Sequence, residues 1–272
     1  MENQEMSFVA GIPTLDIQDF TKGNQEQRKK FVSDLGDAYE SIGFVAIHGH
    51  GIPDTLIEDL YTQSQDFFGL SPEQKKAYAR PETNNQRGFV QMGVEHAKDS
   101  EAADLKEFWQ VGQPNPPSDS DLVHFPPNSN VSETPQFKAT AELAFEALEN
   151  LGQIMLQAIA IHLKVEESYF ESWVAGGNSI LRAIHYPPIT GEPNSAVRAG
   201  QHEDINLITL LVGASASGLE VLRHDNTSVP VTALPEHIVI NVGDMLQRLT
   251  NHQLKSTTHR VVNPPRSEWG KP

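Results

Sequence analysis

Apolar positions in the first half of the chain recur at helical spacing, whereas in the second half they come in short runs broken by turn residues. Ile12-Pro13-Thr14-Leu15-Asp16-Ile17 reads as a short strand. From Gln25 to Ser41 a helix is predicted, with Phe31, Leu35, Ala38 and Ile42 at three-to-four spacing and Gly43 ending it. Phe44-Val45-Ala46-Ile47 then reads as a buried strand, and Gly49, Gly51 and Pro53 punctuate its exit. A second helix is predicted from Pro53 to Gly69, with Asp54 suited to its N-cap. A short third helix opens at Ser71-Pro72-Glu73, with Pro at the first helical position. The stretch from Pro114 to Pro135, rich in Pro, Ser, Asn and Asp, predicts a loop. A long helix follows over about 134–163, with Ala144, Leu148, Leu151, Met155 and Ile159 on its core face.

From Ile180 onward the texture changes. Runs at 179–186, 206–212, 219–222, 229–232, 237–242 and 256–262 are separated by Gly, Pro, Asn or Asp. Strands this short, with turn signals this frequent, predict a sandwich, jelly roll or barrel. The expected organisation is a helical and strand-containing N-terminal region over 1–115, then a long helix and an all-β core over 116–272, forming a single functional unit.

Composition narrows the chemistry. Of 272 residues, 36 are acidic and 20 basic, a formal net charge of −16, which repels phosphate backbones and anionic membrane surfaces. Neither nucleic acid nor a membrane is therefore an expected partner. There is no cysteine, so any metal must sit on nitrogen and oxygen ligands. The opening residues lack a basic and apolar signal pattern, and no apolar run approaches the roughly 20 residues that span a bilayer. A cytoplasmic protein is expected.

The segment carrying the most chemistry is Gln201-His202-Glu203-Asp204-Ile205-Asn206-Leu207-Ile208-Thr209. On a strand, His202 and Asp204 would project one imidazole and one carboxylate from the same face, with Glu203 on the other. Alone this pair is weak, because 11 His and 36 acidic residues meet at that spacing by chance. His259, in a later run of strand character, is the candidate third ligand, since jelly rolls bring strands distant in sequence together. Two His and one carboxylate on one side of an ion leave its other side open, the arrangement of non-haem Fe(II) oxygenases.

The wider set of motifs resembles the isopenicillin N synthase-like branch of the 2-oxoglutarate/Fe(II)-dependent dioxygenases. The similarity runs from Ile12-Pro13-Thr14-Leu15-Asp16 through Gly43-Phe44, Gly51-Ile52-Pro53, Arg87-Gly88-Phe89 and Asp104–Trp109. It continues with Leu181–Pro188, the His202 segment, Asn241-Val242-Gly243-Asp244-Met245-Leu246, Thr250-Asn251, Lys255-Ser256 and His259-Arg260-Val261. The resemblance implies a double-stranded β-helix (jelly-roll) core braced by helices, with Fe(II) on His202, Asp204 and His259 and 2-oxoglutarate as cosubstrate. It implies a dioxygenase that couples 2-oxoglutarate decarboxylation to oxidation, by hydroxylation first of all, of a small-molecule substrate by O2. Tyr186 stands where relatives contact 2-oxoglutarate, against the plainer reading of a half-buried strand aromatic. Arg87 borders the region of the substrate mouth and is a candidate anchor for a carboxylate substrate, with Arg182 and Arg198 as alternatives. Ile184 stands where plant relatives carry Asn.

The resemblance also implies an Arg-x-Ser motif after the distal His, to pair with the far carboxylate of 2-oxoglutarate. The chain reaches Pro272 without one, Arg266-Ser267 lacking the spacing, so a sequence cut short before its last barrel strands is expected. Structural roles are expected for His48 and His50, a turn for His252, a strand face opposite Tyr186 for His185, and a turn-fixing role for Asp244. Two rival readings stay open: an oxidase that, like isopenicillin N synthase, does without 2-oxoglutarate, and an inactive jelly-roll binding protein.

Overall fold

Caps and glycines set the element boundaries in the first part of the chain. In the computed structural model, which describes residues 7–9, 11–95, 103–115, 125–213, 218–222, 227–231, 234 and 236–270, β1 (Ser7–Val9) pairs antiparallel with β2 (Ile12–Asp16). Asp16 accepts from the Gln18 N–H and caps α1 (Ile17–Thr21), so Ile17 opens a helix instead of prolonging the strand. Asn24 and Gln27 form a capping box on α2 (Gln25–Ser41), which has the predicted bounds. Gly43, at φ +75°, turns the chain into β3 (Phe44–His48), and a Cβ there would lie 2.1 Å from the Lys255 carbonyl oxygen. On α3 (Asp54–Phe68) the cap is Pro53 and makes no side-chain bond. Asp54 is instead the first helical residue, where its charge meets the positive end of the helix dipole. A capping box of Ser71 and Gln74 starts α4 (Pro72–Lys76).

After β4 (Gly88–Val90) and β5 (Glu107–Val111) comes the expected loop, of which residues 116–124 lie outside those described. The long helix α5 (Phe137–His162) begins after a turn in which the Phe137 N–H donates to Thr134 O. Then follow α6 (Glu171–Val174), β6 (Leu181–His185), β7 (Ala199–His202), β8 (Ile208–Val212), β9 (Leu219–Leu222) and β10 (Ser228–Pro230). The last elements are β11 (Ile238–Val242), α7 (Asp244–Leu249) and β12 (His259–Val261). Several strands are shorter than their apolar runs because loop-forming bonds take over at the ends, as where the Gly243 N–H reaches Leu207 O.

The chain packs as two compact units, each assembled from separated stretches. The first comprises Met1–Gly51, Gly152–Ser172 and Ala199–Arg266. It holds a five-stranded sheet in the order β1-β2-β3-β11-β8 and a four-stranded sheet in the order β10-β9-β12-β7. Apart from the parallel β2–β3 pair, reached through α1 and α2, every pairing is antiparallel. Ile12, Phe44, Ala46 and Val239 of the larger sheet and Val221 of the smaller share one buried cluster with Val231. Each large aliphatic or Phe side chain so buried contributes roughly 1.5–3 kcal/mol. Two sheets packed in this way form the jelly roll that the sequence predicts.

The second unit comprises Ile52–Leu151, Trp173–Arg198 and Ser267–Pro272, with an antiparallel sheet β4-β5-β6. Phe67 centres its core, 4.7 Å from the Trp109 ring and 5.6 Å from Phe137. A polar network is buried beside it. Glu107 Oε1 accepts from Lys75 Nζ (2.5 Å) and pairs with His185 Nδ1 (2.9 Å), and the His185 ring stacks on Phe68. Among the described residues, no helix is long and apolar enough to cross a membrane.

Candidate metal centre

Two neighbouring strands of the smaller jelly-roll sheet deliver the imidazoles. β7 ends at His202 and β12 begins at His259, and the two residues are direct antiparallel partners. Residues opposite one another in such a pair share a face, so the rings come together, 4.4 Å between centroids. Asp204 arrives differently from the sequence expectation. The strand stops at His202, so Asp204 lies in the loop before β8 and strand alternation does not aim it. Its Oδ1 lies 3.7 Å from His202 Nε2 and 3.7 Å from His259 Nε2. Among the described residues these three make the one His/Asp/Glu group whose ligand atoms lie within 4.8 Å of one another.

The remaining polar atoms of the three side chains are already engaged. His202 Nδ1 is 2.8 Å from Gly200 O and His259 Nδ1 is 3.1 Å from Thr257 O. A carbonyl can only accept, so each Nδ1 carries the proton and each Nε2 presents a lone pair to the common point. Asp204 Oδ2 accepts from Thr209 Oγ1 at 2.6 Å and from Asn241 Nδ2 at 2.9 Å. Burial pushes the Asp204 carboxyl up, but the His259 imidazole, the Asn241 and Thr209 bonds and His202 together hold it below the usual carboxylate range. Burial, which outweighs the nearby Asp204, lowers the His259 imidazole and keeps it unprotonated at neutral pH. Two neutral imidazoles and one carboxylate anion, with their outward valences satisfied, fit a borderline divalent ion such as Fe(II).

The other residues picked out by sequence fall elsewhere. Tyr186 follows β6 in the second unit, with the Arg198 guanidinium 5.3 Å from its ring centroid. Burial is the main reason its phenol is pushed up to about 12, so it keeps its proton. Arg87 is 1% exposed, donating from Nη1 to Gln86 O and from Nη2 to Asn178 Oδ1. Arg182 lies over the Phe108 ring and bonds Glu95 and Gln110. His48 packs edge-on against His237, and His185 is held by Glu107; neither joins the ligand cluster. His252 sits in a turn at φ +65°. Asp244 opens α7 and acts through its backbone, its N–H donating to Asp204 O at 2.8 Å. Thr209 and Asn241 are the site residues that sequence reasoning passed over, although both lay within motifs it had singled out.

Comparison with known proteins places these features in company. Residues 12–134 match the family described as non-haem dioxygenase in morphine synthesis N-terminal, and residues 177–269 match the 2OG-Fe(II) oxygenase superfamily. A 2-oxoglutarate-dependent dioxygenase of Dothideomycetidae sp. is 32% identical, over 94% of this chain and 79% of its own length. A proline hydroxylase of Petromyces alliaceus is 34% identical, over 93% of this chain and 81% of its own. Among solved structures, a 2OG-Fe(II) oxygenase family protein from Caulobacter crescentus superposes with TM-score 0.84 at 38% identity, covering 96% of this chain and 83% of its own. A full-length Neurospora crassa protein solved in complex with alpha-KG gives TM-score 0.83 at 30% identity, covering 96% and 84%.

Proposed function

The chain belongs to the 2OG-Fe(II) oxygenase superfamily, and from that premise we propose that His202, Asp204 and His259 hold one Fe(II) at which a small-molecule substrate is hydroxylated. The observation carrying this reading is the convergence of two Nε2 lone pairs and one carboxylate oxygen, with every other polar atom of the three side chains hydrogen-bonded. Iron(II) bound there supplies dioxygen activation, with 2-oxoglutarate giving succinate and CO2 while one oxygen atom goes to the substrate and the other to succinate.

The protein's own contribution is orientation. The backbone carbonyls of Gly200 and Thr257 hold the rings with their lone pairs facing inward, so the site needs little reorganisation when an ion binds. An ion held by these three side chains would keep its remaining positions for cosubstrate and O2. The same proposal gives Tyr186, whose phenol stays protonated, the role of donor to a 2-oxoglutarate carboxylate. Tyr186→Phe would then raise the KM for 2-oxoglutarate about tenfold, a loss of roughly 1–1.5 kcal/mol for one hydrogen bond; an unchanged KM removes Tyr186 from the site. Arg87, expected to anchor a substrate carboxylate, is proposed to act through the segment it clamps, because its guanidinium already holds Gln86 and Asn178. That Arg87→Met lowers the melting temperature while leaving 2-oxoglutarate affinity intact is the outcome that supports this. The division into regions 1–115 and 116–272 working as one functional unit belongs to the same proposal.

As to substrate, the relatives point to small polar compounds: one is a proline hydroxylase, and the Neurospora crassa protein has also been solved with alpha-KG and thymine. The deciding experiment is an anaerobic titration with Fe(II) and 2-oxoglutarate, followed for the visible charge-transfer band of the chelate. Admission of O2 and measurement of succinate complete it. No band and no succinate would overturn the reading, and a metal-dependent reaction without succinate would replace it with an oxidase that does not use 2-oxoglutarate.

A further inference from the structure

Asp204 Oδ2 has two lone-pair directions, and both are occupied. Asn241, near the end of β11, donates its amide from one side at 2.9 Å, and Thr209, on β8, donates its hydroxyl at 2.6 Å. The carboxylate can only accept, which sets the direction of the Thr209 bond, and a third residue reinforces it. Asn206 Nδ2 lies 2.8 Å from Thr209 Oγ1, and an amide NH2 can only donate, so the hydroxyl proton goes to Asp204. Asn206 is in turn held where it is by the absence of a side chain at 243. A Cβ on Gly243 would lie 2.2 Å from Asn206 Oδ1 and 2.3 Å from its carbonyl oxygen. The β11–β8 pairing joins the two donors, since Asn241 and Thr209 are direct cross-strand partners.

We infer that Thr209 and Asn241 are positioning residues that confine Asp204 to a single metal-binding oxygen. The inference rests on the iron-centre reading above and adds to it the reason that the carboxylate leaves room for other ligands. A carboxylate with a free second oxygen can swing to chelate an ion, and chelation would fill one of the positions that a bidentate 2-oxoacid needs. With Oδ2 held by two donors from the larger sheet, Oδ1 is the oxygen turned toward His202 and His259, 3.7 Å from each Nε2. Gly243, Asn206 and Thr209 therefore act in series: the glycine makes room for the amide, the amide directs the hydroxyl, and the hydroxyl holds the carboxylate.

The test uses the full chain, loaded with Co(II) under anaerobic conditions as a spectroscopic probe. Co(II) affinity and 2-oxoglutarate affinity are measured separately from the visible d–d bands. Thr209→Val keeps the shape and removes the donor. It is expected to weaken 2-oxoglutarate binding about tenfold, within the range for loss of an outer-shell partner, while Co(II) affinity changes far less because the released oxygen joins the ion. Its Co(II) spectrum before 2-oxoglutarate should shift toward weaker bands, as a higher coordination number requires. Thr209→Ser restores the donor and should restore both the spectrum and the affinity. Asn241→Ala frees the same oxygen from the other side and should shift the spectrum the same way, which keeps the test open if one variant folds poorly. Wild-type spectra and 2-oxoglutarate affinity in both Thr209→Val and Asn241→Ala would overturn the inference, as would equal losses of Co(II) and 2-oxoglutarate affinity that Thr209→Ser fails to repair. A wild-type protein that binds neither Co(II) nor Fe(II) would overturn the iron-centre reading itself.

Discussion

His202 and His259 each make their Nδ1 bond to the carbonyl two residues back, at Gly200 and Thr257. The tautomer of both rings is thus decided locally, by extended backbone that brings a carbonyl under its own histidine, while the meeting of the two Nε2 atoms depends on strand pairing. Removing one ring should therefore abolish binding without unfolding the strand. His259→Ala is expected to weaken Fe(II) or Co(II) binding by more than the roughly 10–100-fold typical of an outer-shell loss. Isothermal titration measures it, with retained far-UV circular dichroism as the control. Metal affinity within tenfold of wild type would mean that His259 is not a ligand.

At the scale of elements, two contacts tie helices to their surroundings in ways that can be measured. In the first unit, α2 meets the end of α5 where the His162 ring fills the space a side chain at Gly36 would occupy, 1.9 Å from an added Cβ. His162 Nε2 also bonds Glu40 Oε1 at 2.9 Å. Gly36→Ala gains up to about 1 kcal/mol of helix propensity. It must also displace the imidazole, and overpacking of this kind costs about 1–3 kcal/mol. A net loss is expected by urea denaturation. In a His162→Ala background the same Gly36→Ala change should become stabilising, and an unchanged sign there would refute the steric account.

In the second unit, α4 is tied to β5 and β6 through Lys75, Glu107 and His185. Burial raises the Glu107 carboxyl, but the His185 and Lys75 bonds more than offset it and bring it below its ordinary value of 4.5. A depressed folded-state pKa means that this group stabilises the fold fully above about pH 4.5 and loses that contribution as the pH falls through the folded value. Glu107→Gln leaves a buried ammonium without its anion and should cost about 3–5 kcal/mol at pH 7. The gap between wild type and variant in denaturation midpoint is expected to stay constant from pH 6 down to about 4.5 and to narrow as the pH is lowered further.

For the whole molecule, ion binding and folding are linked, because the three ligands come together only in the native jelly roll. Metal at a hundred times its Kd adds about 2.7 kcal/mol to the stability of that unit. For a chain of this size that corresponds to a rise of roughly 5–10 °C in melting temperature. Calorimetry with and without Co(II) measures the rise, which a chelator should reverse and which His259→Ala should lack.

What the sequence determined by itself was the kind of chemistry and the parts available for it. The absence of cysteine restricted any metal to nitrogen and oxygen, and the order of motifs around His202, Asp204 and His259 marked the ligand set. Helix α2 was legible from end to end, because an apolar face at three-to-four spacing and the stop at Gly43 involve only residues a few positions apart. Tertiary structure alone decided how the parts meet. Strand alternation was the expected reason for Asp204 to join His202, yet Asp204 is off the strand and is aimed by Thr209, five residues on, and Asn241, 37 residues on. The pairing of His259 with His202 and the burial of Lys75 with Glu107 and His185 likewise depend on which segments become neighbours. Short-range free energies are set by adjacent side chains and can be read along a string. Register and orientation across distant strands are set by closing long loops around a shared core, and no local pattern records that outcome.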